Sequence, residues 1–431
     1  MRIPALILCS VLCGALQVPA SAQQKLQQDQ RSYKLQQVRF VGSHYSQDAL
    51  LRASGLKIGG ETSAQDFQTA ATTLSQTGAF SEVKYRFNGA DAEYQLIDNP
   101  NLVSCRFENL VWIGDQELLD LLRKRVPLFD GKAPLNGDLA ASVGKEIEAI
   151  LKDRGVAATI SFLPSASLNG PVNSIAFSAT NPRVEIADIE FSGASADQIP
   201  ALKKAVVPIL GTEYRQSILE DFATNSLRPI YMSQGYLHVQ FPKASATPVS
   251  NSADLAKVKI TVPIQEGSVY RLKAFNWQGS DLLPAAAAPK LYLLKPGDVV
   301  NEELLKKSLN NLGVAYVKRG YMKATFRAIP SFDETEHTVA YDIEIVPGDF
   351  YRLRDVEFKN LSPAQLKQVN EAWKLKPGDV YDPTYVTGFL VNNRQSLRSL
   401  DGWSAMWTQT IDDEKKTVDL VLTFRPGGTL H

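Results

Sequence analysis

The sequence predicts an α+β protein made of a tandem array of five modules. Each module has the element order β-α-α-β-β, forming a three-stranded mixed sheet covered by two helices. Three recurring landmarks lead to this prediction. They are a closing strand of alternating residues, a glycine just past the long helix, and an opening strand that ends in Gly or Asn. Their agreement at intervals of about 80 residues indicates an internal repeat.

The closing strand of a module places apolar residues at every second position, which is the period of a β-strand. It reads "KVKITVPIQEG", "TVAYDIEIVPG" and "TVDLVLTFRPG" in three modules, where Val258, Val339 and Val418 hold equivalent positions. The turns that follow the first two of these strands read "QEGSVYR" and "VPGDFYR", and in them Tyr270 and Tyr351 hold equivalent positions. These turns predict short, stiff joints between consecutive modules.

A glycine follows the long amphipathic helix of each module, where a left-handed C-cap is usual because Gly carries no Cβ. These glycines are Gly78, Gly155, Gly235, Gly320 and Gly402. The opening strands read "LQQVRFVGS", "LVSCRFENL", "IADIEFSGA", "LKAFNWQGS" and "LRDVEFKNL". We therefore expect five modules in order along the chain.

The fourth module is the clearest. Its opening strand spans 272–277, and a short Ala-rich helix follows near 284–293. Asn301 is the predicted N-cap of the long helix, which ends at Gly320. Strand two is "YMKATFRAI", and strand three runs over 338–346.

Other modules repeat these signals. Asp382 caps the long helix of module five and Pro383 takes its first position. Ser63 and Asp66 resemble a capping box in module one. Pro229 lies late in the long helix of module three, so that helix is predicted to kink or to end early.

Strand three is the most continuously apolar strand of each module, so we expect it at the centre of the sheet. Strand two then lies at an edge, where its backbone N–H and C=O groups lack partners.

The 431-residue chain is 44% apolar and 21% charged, which predicts a folded protein. Its 46 Lys and Arg balance its 46 Asp and Glu, so nucleic acid is not an expected partner. Residues 1–22 read as a secretory signal peptide and 23–32 as a flexible lead-in. No later stretch of 18 apolar residues predicts a transmembrane segment. After residue 22 only Cys105 remains, so no internal disulfide is expected, and the side chain is read as buried rather than reactive.

No enzyme motif is present. The four histidines lack metal-ligand spacing, and there is no phosphate-binding glycine loop. The sequence therefore predicts a non-enzymatic protein without a cofactor or a metal.

The modules resemble the POTRA domain of the outer-membrane protein assembly family (BamA and its relatives). The resemblance rests on the opening "VRFVG" and "IEFSG", on "SGLKIGGE" and "LKPGDVV" before the long helix, and on the closing "EGSVY". Module two matches least well, because it lacks the glycine after its first strand. The predicted boundaries are 33–98, 101–180, 183–266, 268–347 and 349–426 for modules one to five.

BamA-like proteins carry a C-terminal transmembrane β-barrel, whereas only "RPGGTLH" follows Phe424 here. A barrel needs at least about eight strands of about ten residues. The prediction is therefore tandem POTRA domains without the barrel.

The resemblance implies a periplasmic protein, associated with the outer membrane through a partner. Its expected partners are outer-membrane β-barrel or assembly-complex proteins and unfolded client polypeptides. An extended client could add to strand two of a module by β-augmentation. The candidate edge residues are Lys323, Ala324, Thr325, Phe326, Arg327, Ala328, Trp403, Ala405 and Trp407.

Several alternatives stay open. The edges could face solvent or a neighbouring module and bind nothing, with Lys323 and Arg327 as charges that block pairing. Five aromatics could either pack the sheet–helix core and the joints between modules or line a peptide groove, namely Tyr270, Trp277, Tyr321, Trp403 and Trp407. The protein could also be a structural rod or tether between envelope complexes, or the periplasmic half of a split assembly factor.

Overall fold

The computed structural model describes residues 32–166, 170–277, 282–393, 397–400 and 402–427. The predicted signal peptide and nearly all of the predicted lead-in lie outside the described residues. The chain divides into two compact units. The first runs to Glu190 and includes 206–221 and 244–262, and the second comprises 191–205, 222–243 and the chain from 263 onward.

The helices and strands up to Ser192 occur in the following chain order. They are β1 (Tyr33–Lys34), β2 (Gln37–Val41), α1 (Gln47–Ser54), β3 (Glu61–Thr62), α2 (Ala64–Gln76), β4 (Phe80–Phe87), β5 (Asp91–Asp98), β6 (Leu102–Phe107), α3 (Asp115–Arg125), β7 (Lys132–Pro134), α4 (Leu139–Asp153), β8 (Thr159–Ala166), β9 (Val172–Asn181) and β10 (Arg183–Ser192).

The remaining elements repeat the same alternation of helices and hairpins. They are α5 (Ile199–Val206), α6 (Gln216–Phe222), α7 (Arg228–Met232), β11 (Ser245–Asn251), β12 (Leu255–Pro263), β13 (Arg271–Asn276), α8 (Glu302–Val317), β14 (Thr325–Asp333), β15 (Thr338–Val346), β16 (Arg352–Lys359), α9 (Pro363–Ala372), α10 (Pro383–Asn392), β17 (Trp403–Asp412) and β18 (Thr417–Pro426).

Four of the five larger sheets in the described residues share one three-stranded order, and the other has an additional strand. The strand orders of the five are β2-β5-β4, β7-β6-β9-β8, β10-β12-β11, β13-β15-β14 and β16-β18-β17. In the fourth and fifth of these sheets the opening strand runs parallel to the central strand, and the second strand runs antiparallel to it. The central strand is the closing strand, as its continuous apolar face predicted. Val339 on β15 and Val418 on β18 are both fully buried.

The second of these sheets has four strands, so the expectation of three in every module is wrong there. The extra strand β7 pairs antiparallel with β6, with Val103 opposite Ala133. Ala133 is fully buried, which shows that β7 forms part of the core. A strand of three residues is too short to give a recognisable alternation, and its position depends on its pairing partner.

Two of the predicted helices contain an internal proline. The Ala-rich segment is a 3₁₀ helix, Ala285–Lys290, rather than a longer helix over 284–293. Pro289 lies inside it and lacks the N–H that a regular α-helix requires. The helix with Pro229 passes through a π-helix at Ala223–Leu227 and continues as α7. The helix therefore continues past Pro229 rather than ending early, and the π-helical turn before the proline is a feature at which helices kink.

The N-cap predictions are confirmed. The side chain of Asn301 accepts a hydrogen bond from the backbone N–H of Leu304, and Ser63 and Asp66 form a reciprocal capping box. Asp382 caps α10, which begins with Pro383. Gly78, Gly155, Gly235 and Gly320 lie just past their long helices and have positive φ, between 72° and 86°. Gly402 also has a positive φ of 77°, but the prediction that it ends the long helix of module five is wrong. That helix, α10, ends at Asn392, and Gly402 follows a separate 3₁₀ helix, Arg398–Leu400.

Aromatic side chains singled out in the sequence pack against hydrophobic cores. Trp277 and Tyr321 contact the core around β15, while Trp403 and Trp407 contact the core around β18. Tyr270 is 2% exposed. Of the two interpretations of these residues, core and joint packing is therefore the one that the contacts support.

Candidate functional site

The candidate edge residues lie on or near β14 and β17. In the sheet orders of the described residues, both strands are terminal, and each pairs with a central strand on one side alone. The edge position predicted for the second strand is confirmed for both sheets. Whether either edge binds a polypeptide stays a prediction.

Lys323 and Ala324 do not belong to the strand, because β14 begins at Thr325. The two residues lie in the turn that follows Gly320. The Nζ atom of Lys323 lies 2.6 Å from Oδ1 of Asp413, which follows β17. The expectation that Lys323 blocks an edge is therefore corrected, since its charge links the turn before β14 to the next sheet.

Strand β14 combines a solvent-facing side with a side that covers the core. Thr325 and Arg327 are exposed, whereas Phe326 and Ala328 pack against the core. The ring of Phe326 lies 5.2 Å from that of Tyr316 in an edge-to-face arrangement. Thr325, Phe326, Arg327 and Ala328 therefore lie on the second strand, as the sequence predicted, and their side chains alternate between the two faces of the sheet.

Strand β17 shows the same division of its two faces. Trp403, Ala405 and Trp407 pack partly against the core, opposite the buried Phe424 and Leu422 of β18. Met406, on the other face, is 61% exposed. The three candidate residues of β17 therefore share one face, the one that covers the helices.

The hydrogen bonds at the end of β17 show which backbone groups point outward. The N–H of Gly427 donates to the carbonyl of Gly402 at 2.8 Å. Since hydrogen-bonded and non-hydrogen-bonded pairs alternate along an antiparallel ladder, Ser404 and Met406 direct their backbone groups toward β18. The backbone groups of Trp403, Ala405 and Trp407 then point away from β18. These are the groups that an added strand would need.

Pro330 gives the corresponding assignment for β14. It pairs with Tyr341 within nine consecutive residue pairs that show no register shift. A proline nitrogen in such a ladder faces outward, because it cannot donate to the neighbouring strand. Phe326 and Ala328 share the parity of Pro330, so their N–H groups also point outward.

The sequence analysis missed the acidic residues that complete the joints. The hydroxyl of Tyr351 donates to Asp413 Oδ1 at 2.6 Å, and that of Tyr270 donates to Glu334. The bond to Glu334 raises the pKa of Tyr270 to about 12. Because Glu334 and Asp413 both follow a second strand at equivalent positions, aligning the repeats could have revealed them.

Backbone contacts tighten the same joints. The N–H of Tyr270 donates to the carbonyl of Gly235 at 2.8 Å, and that of Tyr351 donates to Gly320 at 2.9 Å. Hydrogen bonds from Lys323 and then Tyr351 lower the pKa of Asp413 below its usual value. Each joint thus combines a Gly–Tyr backbone bond with a Tyr–carboxylate bond.

Within the described ranges, no three or more His, Cys, Asp or Glu residues are grouped to hold a metal ion. None of the helices in those ranges combines the length and apolar character needed to cross a bilayer. Cys105 is a free cysteine, and burial first, then Asp130, raises its pKa to about 12.

Part of the chain matches a known family of repeated domains. Residues 270–348 match the POTRA family model, described as "Surface antigen variable number repeat". One relative is a "Putative outer membrane protein assembly factor" of Treponema pallidum (strain Nichols), 23% identical over 329 residues. That match covers 73% of this chain and 38% of the relative. The match therefore takes in less than two thirds of that relative.

A second relative is the "Outer membrane protein assembly factor BamA" of Buchnera aphidicola subsp. Acyrthosiphon pisum (strain APS). It is 19% identical over 375 residues, covering 83% of this chain and 59% of the relative. The crystal structure of Haemophilus influenzae BamA POTRA3-5 aligns with a TM-score of 0.42 and 18% identity. It covers 57% of this chain and 98% of that one.

The repeated sheets and the family match define a protein that contains POTRA domains. The similarity to the two assembly-factor relatives supports the BamA-like POTRA resemblance that the sequence predicted.

Proposed function

We propose that this chain acts in outer-membrane protein assembly as a non-enzymatic periplasmic protein. It binds extended segments of unfolded client or partner chains by adding them as strands to the edges of its sheets. The observation that carries this proposal is the terminal position of β14 and β17, whose outer backbone groups are available for pairing.

The similarity to two assembly factors supports the biological setting, and the geometry supports the binding mode. Main-chain hydrogen bonds supply affinity without demanding one client sequence. Such loose recognition suits a protein that handles many unfolded chains. An assembly role also implies partners in the outer membrane that receive the client.

The test uses the whole chain and a urea-unfolded transmembrane β-barrel protein as the probe. On dilution from urea, light scattering reports how fast the probe aggregates. We expect the wild-type chain to slow this aggregation at stoichiometric concentration. We expect a double variant, Phe326→Pro with Ala405→Pro, to lose most of that effect, because proline removes an outward N–H from each edge.

The matched control is Phe326→Leu with Ala405→Ser, which keeps both N–H groups. It should protect the probe as the wild-type chain does. Circular dichroism establishes that all variants are folded. If the wild-type chain neither binds the probe nor slows its aggregation, the proposed function is wrong.

A structural tether between envelope complexes is a second candidate, and the repeated joints favour it. Tyr270 with Glu334 and Tyr351 with Asp413 connect consecutive sheets through side chains as well as through the backbone. A tether needs such joints but no client binding. Crosslinking in cells separates the two functions, because a tether captures folded envelope proteins and a client binder also captures unfolded barrel proteins.

We also propose that the chain is an array of five POTRA modules with the boundaries predicted from the sequence. Five sheets of three or four strands in the described residues support this count. Limited proteolysis of the whole chain should then give fragments that end near residues 100, 182, 267 and 348. Cleavage inside a sheet would contradict those boundaries.

A further inference from the structure

The terminal second strands of the five larger sheets differ in how well they could accept another strand. Natural sheet edges are protected by proline, by charged side chains and by irregular register. Strands β8, β11 and β14 each contain a proline, namely Pro164, Pro248 and Pro330. Each proline lacks the N–H that a neighbouring strand would use.

The edge strand of the first of these sheets is protected in another way. Strand β4 carries Glu82, Lys84 and Arg86 at alternate positions, and its register shifts between Phe80 and Glu82. Register also shifts in the ladders of β8 and β11. Four of the five edges thus carry at least one feature that opposes strand addition.

Strand β17 carries none of these features along its length. Its ten residues, "WSAMWTQTID", contain no proline, and their one charge is the terminal Asp412. All ten pair with β18 without a register shift. Trp403, Ala405 and Trp407 offer outward backbone groups, as the Gly427–Gly402 bond shows. By the same alternation, the backbone groups of Gln409 and Ile411 also point outward. The edge therefore has outward backbone groups at five alternate residues between 403 and 411.

The side chains beside this edge indicate the chemistry of an added strand. Trp403, Ala405 and Trp407 lie on the face that covers the core, with the small Ala405 between two large rings. On the other face, Met406, Thr408 and Thr410 are exposed and uncharged. An added strand would therefore place apolar side chains beside the tryptophans and uncharged polar ones beside the threonines. Apart from the terminal Asp412, the edge offers no ion-pair partner to a charged segment.

We propose that β17 is the client-binding edge of this chain. Its ligand is an extended, uncharged segment of another polypeptide, about ten residues long, that alternates apolar and polar side chains. This inference rests on the proposed function and assigns it to one of the five edges. The prolines and charges of the other edges reduce competing strand addition there.

The probe for the test is a fluorescein-labelled ten-residue peptide of alternating Val and Thr. Fluorescence anisotropy measures its affinity for the whole chain. Ala405→Pro should weaken binding about tenfold or more, because it removes a central outward N–H and its ring obstructs the approach of the added strand. Phe326→Pro makes the equivalent change on β14, whose edge already carries Pro330, so it should weaken binding much less than Ala405→Pro, by about twofold at most.

A second measurement needs no variant. Hydrogen exchange with mass spectrometry on the wild-type chain should show that the peptide protects residues 403–412 and leaves 325–333 unchanged. This keeps the test valid if Ala405→Pro does not fold. Loss of binding in Phe326→Pro alone, or protection of 325–333 alone, would overturn the assignment to β17 and leave the proposed function intact.

Two further outcomes are also decisive. If the wild-type chain binds neither the peptide nor unfolded barrel protein, the proposed function itself fails. Light scattering after gel filtration gives the oligomeric state with and without peptide. A wild-type dimer that becomes a monomer in Ala405→Pro would show that a second copy occupies β17, which would overturn the proposed ligand.

Discussion

Replacing Gly320 with alanine tests the idea that the joint before β16 is built around a residue without a Cβ. Gly320 has a φ of +86°. An added Cβ would lie 2.9 Å from side-chain carbons of Phe350 and Val380 and 3.0 Å from the carbonyl oxygen of Tyr351. That oxygen accepts a 3.0 Å hydrogen bond from the N–H of Tyr381, so it has little freedom to move.

Two costs add in this variant. A left-handed conformation costs an alanine roughly 1–2 kcal/mol. Overpacking against the three neighbours costs about 1–3 kcal/mol more. We therefore expect Gly320→Ala to lose roughly 2–5 kcal/mol of local stability by adding these two terms. Gly402→Ala is the matched control, because its φ is +77° and nothing lies within 4 Å of the added Cβ. Gly402→Ala should lose only the stability that corresponds to the left-handed conformation, roughly 1–2 kcal/mol.

Hydrogen exchange measures the difference in local stability between the two variants at the joint itself. The N–H of Tyr351 donates to the carbonyl of Gly320, so its opening free energy reports directly on the joint. That value should fall in Gly320→Ala and stay close to wild type in Gly402→Ala. Equal losses at Tyr351 in the two variants would refute the view that close packing at the joint requires glycine.

Other predictions concern single groups. The pKa of Asp413 is lowered by its bonds to Lys323 and Tyr351, so the stability it contributes is present above its ordinary pKa of about 4 and is lost as the pH falls through the lowered value. Asp413→Asn should show a weaker fall of the urea midpoint below pH 4, and an identical fall would contradict this. Because burial raises the pKa of Cys105 to about 12, a thiol reagent at pH 8 should react with it far more slowly in the folded chain than in urea; equal rates would count against that burial. Tyr94→Phe removes a buried 3.0 Å bond to the carbonyl of Phe67 and should lower the free energy of unfolding by about 1 kcal/mol in a urea titration, whereas an unchanged midpoint would contradict that role.

Features with a strong local signal could be predicted from the sequence. The apolar alternation of β15 and β18 places them at the centres of their sheets, because a strand between two others is the one most completely covered. Four of the helix-ending glycines were also predictable, since few other residues adopt positive φ at low cost. The same patterns placed Phe326 and Trp407 on terminal strands.

Features that depend on distant contacts could not be predicted in this way. Strand β7 has three residues and exists through its pairing with β6. Lys323 reads as an edge charge in sequence, but its partner Asp413 lies 90 positions away. The protection of four edges and the openness of β17 became visible only when register and proline positions were compared across the sheets.

The hydrogen bond from the Tyr351 N–H to the Gly320 carbonyl limits where modules can be added or lost when the gene is duplicated or shortened. A glycine that ends one long helix is capped by the residues that start the following sheet, so neither side is complete when the chain is cut between them. A gene duplication that preserved this closure would need to copy the interval from one such glycine to the next. The heritable building block would therefore be offset from the folded sheet, beginning within one and ending within its successor.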